Sequence, residues 1–272
     1  MARRAGPDRA MLNAMPPVRV DPDGGLAVVT IDSPPLNLFD DPLRDALLAA
    51  VDELERSAPR AVLFRADGRV VSGGVDVRLF DALPGPAEAA TVFRELVQVS
   101  QRVAALPCPT VFAAHATCLT WAFELALACD LILAAESASF GLVEATVGLT
   151  PAMGGTQRLA ERAGSGRARE LVLTAERFDA ATLHSWGVVN RLWPDDGFDA
   201  AARELAGGLA AGPTLAHAAT KRVIENYLRG GVAAADEHVP ELAGELFATE
   251  DLRGALRSFL SEGYGRARFA GR

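Results

Sequence analysis

At 272 residues, half of them apolar, the chain can bury a sizeable core, and one large domain with a helical tail is expected. A formal net charge of -8 offers no basic footprint for nucleic acid or an anionic membrane surface, and no apolar run reaches the ~18 residues of a membrane-spanning helix. Cys108, Cys118 and Cys129 lie in apolar context without metal-ligand spacing, which suits buried, reduced thiols and a cytoplasmic protein.

Residues 1–17 read as a disordered leader, or as the product of a start codon placed ahead of Met11 or Met15. The opening MARRAGPDRAMLNAMP holds arginines but lacks the apolar stretch of a secretory signal. A core over residues 18–197 follows, in which short β-rich runs alternate with helical patterns. Leu26 to Ile31, Ala61 to Arg65, Thr110 to Ala114 and Asp130 to Ala134 read as strands. Asp40 and Asp41 offer caps ahead of Pro42, and Leu43, Leu47, Val51 and Leu54 fall on one helical face. A second helix carries Phe93, Leu96, Val97 and Val103 and stops at Leu106-Pro107. The alternation predicts βαβ units on a largely parallel sheet, an α/β fold. Beyond Gly154 the pattern is helical, apart from a short strand near Val188 to Leu192. Residues 198–272 hold three or four amphipathic helices, broken at Gly212-Pro213, Gly230-Gly231 and near Thr249. Helices without a sheet of their own must cover something, either their own subunit or a neighbour.

Two glutamates mark the place to look for chemistry. Glu124 lies in TWAFELALA and Glu144 in SASFGLVEATVGLT, stretches otherwise without charge. A carboxylate in apolar surroundings loses hydration, so it either takes up a proton or meets a polar partner. Two such groups can serve as a general acid/base pair on one small substrate. The plainer alternative places Glu124 at the positive end of a helix and Glu144 on a solvated loop.

The segment FGLVEATVGLTPAMGGTQRL, from Phe140 to Leu159, resembles the signature of the crotonase superfamily, the enoyl-CoA hydratases and isomerases. Ser72-Gly73-Gly74-Val75-Asp76 is similar to that family's first oxyanion-hole loop, and Glu124 to Leu131 (ELALACDL) to its second active-site helix running into a strand. Leu173 to Ala180 and Gly187 to Arg191 also resemble family segments, and the likeness runs from about Leu26 to Phe269. It implies a crotonase-like core of ββα-type spiral repeats with parallel sheets, followed by a C-terminal helical region that caps the site and packs homotrimers or hexamers.

The resemblance implies chemistry on a coenzyme A thioester, with no cofactor beyond the coenzyme A of the substrate and no metal. Backbone N–H groups of Val75 and Trp121 would receive the negative charge of an enolate oxygen, and glycines around Val75 would allow close approach. Glu144 would be the principal acid/base at the α-carbon, and Glu124 would hold or activate the water that adds at the β-carbon. Retention of both glutamates points to hydration of a 2-enoyl thioester, or the reverse dehydration. An enoyl-CoA isomerase, or a non-catalytic scaffold of the same fold, is the alternative.

Departures from the family pattern carry equal information. His115-Ala116 stands where Asn-Gly is usual, and Thr120-Trp121-Ala122 replaces three glycines ahead of Glu124. The N–H donor survives any residue but proline, yet an indole is expected to crowd the space left for the thioester. His115 is expected to be a satisfied loop or core residue, not a base. Pro34-Pro35-Leu36-Asn37 resembles a substrate loop, with Leu36 beside Ser72, Gly73, Gly74 and Asp76 as binding residues, but proline replaces its basic residue. Arg78, Lys221 (the only lysine) and Arg266 are candidate partners for coenzyme A phosphates, against the alternative of ordinary surface charge.

Overall fold

The computed structural model describes residues 15–272. The leader expected over residues 1–17 lies outside them, except for its last three residues.

The first elements are strands β1 (Val18–Asp23) and β2 (Leu26–Ile31), helix α1 (Asp41–Ser57) and strand β3 (Ala61–Ala66). Helices α2 (Arg78–Asp81) and α3 (Pro86–Ala105), strand β4 (Thr110–Ala114), short strand β5 (Cys118–Leu119), helix α4 (Trp121–Ala128) and strands β6 (Leu131–Ala135) and β7 (Ser139–Gly141) follow. A 3-10 turn at Glu144–Val147 precedes α5 (Gly155–Ala163), α6 (Ser165–Thr174), β8 (Phe178–Asp179), α7 (Ala180–Ser185) and β9 (Arg191–Trp193). The chain ends in α8 (Phe198–Ala210), α9 (Thr214–Asp236), α10 (Val239–Glu245), a 3-10 turn at Leu246–Ala248 and α11 (Glu250–Glu262).

Six strands form one sheet in the order β1-β2-β3-β4-β6-β9. Only β1 is antiparallel to its neighbour, and β2, β3, β4, β6 and β9 run parallel. The sheet is covered on both faces, as parallel sheets are, and strand periodicity divides the residues between them. Ala27, Val29, Ile31, Val62, Phe64, Phe112, Ala114, Ile132 and Ala134 join the main core with α1, α3 and α4. Their alternates Leu26, Val28, Ala61, Leu63, Val111, Ala113, Leu133 and Ala135 pack on Phe198, Ala202, Ala206 and Ala210 of α8. The tail therefore begins as part of the core.

Helix α1 starts as its sequence predicts: Asp40 Oδ1 accepts from Leu43 N at 2.9 Å, and Leu43, Leu47, Val51 and Leu54 are buried. The expected breaks in the tail also occur. Gly231 interrupts α9 with φ 76° and ψ -172°, and the Thr249 hydroxyl caps α11 by accepting from Leu252 N. After α11 the chain folds back, so that the buried Asp251 carboxylate accepts from Ala270 N and Gly271 N at 2.7 and 2.8 Å. Lys221 of α9 ties the tail to the core by donating to Asp130 Oδ2 at 2.8 Å and to Cys108 O at 3.0 Å.

A second sheet of three strands, β5-β7-β8, positions the glutamates. Its strands are too short to show a periodic pattern, and sequence periodicity misses them.

Candidate active site

Three strand ends set the site. Ser72 bridges Cys118 in parallel, and Cys118 of β5 pairs in parallel with Phe140 of β7. The residues just beyond Ser72, Cys118 and Phe140 therefore emerge side by side at one end: Gly74-Val75, Thr120-Trp121, and Gly141 leading to Glu144. Leu119 N donates to Ser72 O and Thr120 N to Gly141 O, which locks the register. Ligand sites in α/β proteins form by the same logic, at carboxyl ends of parallel strands.

The loop ending in Val75 is held from both sides. Leu36 O accepts from Gly73 N at 2.8 Å, the Ser72 hydroxyl accepts from Gly74 N at 3.0 Å, and Gly74 O accepts from Phe39 N. Gly74 has φ +117°, a conformation that favours glycine. With Gly74 O turned to Phe39, the trans peptide turns the Val75 N–H the opposite way, and no acceptor meets it among the described residues. Trp121 N is the first N–H of α4 and is likewise without an acceptor there. These are two backbone donors at neighbouring strand ends.

Glu124, one turn into α4, is buried at 3% exposure. Its Oε2 accepts from Met153 N at 2.8 Å and Gly155 N at 2.7 Å. The glycine at 155 is required by contact, because a Cβ there would lie 2.6 Å from Glu124 Cγ. Burial pushes Glu124 up to about 7, against the lowering pull of the Gly155 and Met153 N–H groups. Glu144 opens the 3-10 turn after β7 at 8% exposure, and its Oε2 is buried with no hydrogen-bond partner among the described residues. Burial first, and the Glu124 charge second, push Glu144 up to about 8. At neutral pH the two environments thus separate the roles: Glu124 has donors to hold a carboxylate, and Glu144 keeps its proton.

The Trp121 indole sits differently from the sequence expectation. It does not stand in open space but is 3% exposed in the core, 5.5 Å from the Phe39 ring, with Nε1–H donating to Asn37 O at 3.3 Å. Asn37 is the hub of that loop, its side-chain amide donating to the carbonyls of Asp67, Val70 and Val71. The indole thus joins the start of α4 to the loop carrying Leu36. His115 Nε2 lies 3.0 Å from Gly68 O, a loop contact as expected.

The charged candidates divide. Arg78 is 86% exposed beside the Val75 loop and pairs with Asp76, its Nε donating to Asp76 Oδ1 at 2.9 Å. Lys221 stands away from the two glutamates, held by groups of the core. Its partners Cys108 O and Asp130 lie beyond the C-terminal end of α4, whereas the donors and Glu124 are at its start, and this eight-residue helix spans ~12 Å. Two cavities of about 140 and 150 Å³ also lie elsewhere, one beside Arg102 and Cys108, the other between α9 and α11. The donors Met153 and Gly155 and the Thr120 hydroxyl are site groups that sequence reasoning missed. The sequence signals for Gly155 are its place in Gly154-Gly155 and in the Phe140 to Leu159 segment.

The enoyl-CoA hydratase/isomerase family model matches residues 21–265. The chain is 32% identical over 247 residues to a Rhodobacter capsulatus protein named "Probable enoyl-CoA hydratase", covering 90% of this chain and 95% of the relative. It is 27% identical to the short-chain-enoyl-CoA hydratase of Clostridium acetobutylicum, with the same coverage. Solved enoyl-CoA hydratases from Geobacillus kaustophilus and Bacillus anthracis superpose with TM-scores of 0.89 and 0.87, each at 25% identity, covering 96% and 94% of this chain and 98% and 100% of theirs. With its parallel sheet, its strand-end donors and its two buried glutamates, the chain belongs to the enoyl-CoA hydratase/isomerase family, within the crotonase superfamily.

Proposed function

We propose that the protein hydrates a 2-enoyl-CoA thioester reversibly. The observation that carries this reading is the unlike environment of the two glutamates next to two N–H donors without an acceptor among the described residues. The thioester oxygen accepts from Val75 N and Trp121 N, and both bonds strengthen as the enolate forms. Water held by Glu124 bonds through oxygen to the β-carbon and gives a proton to that carboxylate. Glu144 gives its own proton to the α-carbon, and the enolate collapses to the 3-hydroxyacyl thioester. The pair ends with its proton moved from Glu144 to Glu124 and is reset by exchange with solvent. The step forms one C–O bond and moves protons with no change in electron count, and coenzyme A enters as part of the substrate.

In this reading Leu36, Ser72, Gly73 and Gly74 shape the thioester loop and Arg78, whose exposure supports the role, meets phosphates once Asp76 releases it. For assembly we propose a homotrimer or hexamer built on the tail, where Leu228, Val232, Phe259 and Leu260 are exposed, Leu260 at 85%. No helix among the described residues is long and apolar enough to cross a membrane. The three buried free cysteines suit a reducing compartment such as the cytoplasm. The test is loss of the enoyl absorbance of crotonyl-CoA in the presence of purified protein, with calorimetric binding of a non-reactive acyl-CoA. A protein that neither binds nor turns over a thioester refutes the function.

A further inference from the structure

Thr120 occupies a position that its backbone disfavours. Its φ of 50° and ψ of -120° suit glycine, and a β-branched residue there is strained. The side chain is 4% exposed, and its hydroxyl is buried without a hydrogen-bond partner among the described residues. Strain and an unsatisfied buried hydroxyl both cost stability. Such outliers concentrate where a group is held ready for a ligand.

The place of the hydroxyl says which ligand atom. In the parallel register that aligns Ser72 with Cys118, Thr120 is the counterpart of Gly74. Its Oγ1 lies 3.7 Å from where a Cβ on Gly74 would stand. The Thr120 side chain therefore packs against Gly74, whose following peptide presents the Val75 N–H, while the peptide that follows Thr120 itself presents the Trp121 N–H. A hydroxyl can donate as well as accept and turns freely, so an acceptor atom brought in by a ligand would meet its proton.

We propose that the Thr120 hydroxyl is a third donor to the thioester oxygen, added to the two backbone N–H groups. The inference rests on the hydratase reading above and adds a catalytic residue to it. A donor aimed at developing charge counts more in the transition state than in the ground state, so its removal lowers kcat and leaves KM nearly unchanged.

The test uses the full chain with Thr120→Val, which keeps shape and removes the hydroxyl, and Thr120→Ser, which keeps the hydroxyl. Crotonyl-CoA kinetics are read beside the absorption shift of a bound cinnamoyl-CoA thioester, which reports carbonyl polarisation without turnover. Thr120→Val is expected to lower kcat by about 10²-fold with KM within a few-fold, and to reduce the red shift. Thr120→Ser is expected to recover most of both. Equal red shifts in wild type and Thr120→Val, or equal losses in the Val and Ser variants, overturn the proposal. Should the Val variant fail to fold, Thr120→Ala and Thr120→Gly, both smaller than threonine, are compared with Ser in the same way. A wild type that neither binds the cinnamoyl thioester nor turns over crotonyl-CoA removes the hydratase reading itself, an outcome distinct from a wild-type shift that the variants share.

Discussion

Gly155→Ala separates helix propensity from the demands of the site. Gly155 is the first residue of α5, with no positive φ to forbid a side chain, and alanine in place of glycine within a helix contributes up to about 1 kcal/mol. Local reasoning therefore predicts a stabilised protein. The structure predicts the reverse. The added Cβ would stand 2.6 Å from Glu124 Cγ, where ordinary contact begins at 3.4 Å, so Glu124 must retreat by about 0.8 Å. A retreat of that size stretches the 2.7 Å bond from Gly155 N past useful length. A hydrogen bond to a charged group contributes about 1.5 to 3 kcal/mol, which corresponds to roughly one to two pH units for the carboxylate it holds. Glu124, already pushed up to about 7, moves higher, and at neutral pH its carboxylate form, about half of the population before the change, falls by about fivefold to fiftyfold. The kcat/KM profile for crotonyl-CoA between pH 5 and pH 9 should show its acidic limb displaced upward by about one to two units, with a lowered melting temperature. An unmoved limb with a rate within twofold of wild type would refute the reasoning, since Glu124 would then not depend on that contact.

Glu144→Gln should lower kcat by about 10²- to 10⁴-fold while affinity for an unreactive acyl-CoA stays within a few-fold, as measured by calorimetry; turnover within about tenfold of wild type would contradict the role of Glu144. The same variant tests the pH dependence of stability. Because the folded pKa of Glu144 is raised from 4.5 to about 8, folding takes up a proton, and this contribution is complete below 4.5 and is lost as pH rises toward 8. The melting temperature of Glu144→Gln relative to wild type should therefore climb across that window, and a constant difference would show that the carboxyl is not buried as described. Trp121→Gly should cost about 3 to 5 kcal/mol in a urea titration, because the indole fills core beside Phe39 instead of narrowing a pocket; a loss below 1 kcal/mol with a broadened acyl range would restore the steric view. Light scattering should find a trimer or hexamer, weakened by truncation before Thr249, and a monomer of 28.6 kDa would exclude the assembly.

Wherever a single element carries a repeated physical demand, the sequence determines it. The α1 cap at Asp40, the buried Leu43-Leu47-Val51-Leu54 face and the strands at Leu26–Ile31 and Thr110–Ala114 follow from local hydrogen-bonding and burial periodicity, so they appear where the pattern places them. The pair Glu124 and Glu144 is also legible, because an isolated carboxyl in an apolar run contradicts its surroundings. Tertiary structure alone decides what those residues meet. That Gly155 must lack a side chain, that Trp121 turns to Asn37 and that Lys221 is taken by Asp130 depend on contacts across 31 to 91 residues of chain, and that the Thr120 hydroxyl finds no partner among the described residues is likewise a matter of tertiary packing. Burial periodicity is a property of one strand or helix, whereas hydrogen-bond satisfaction and steric clearance belong to pairs of elements, and the register of β5 against Ser72 and β7 sets which pairs those are.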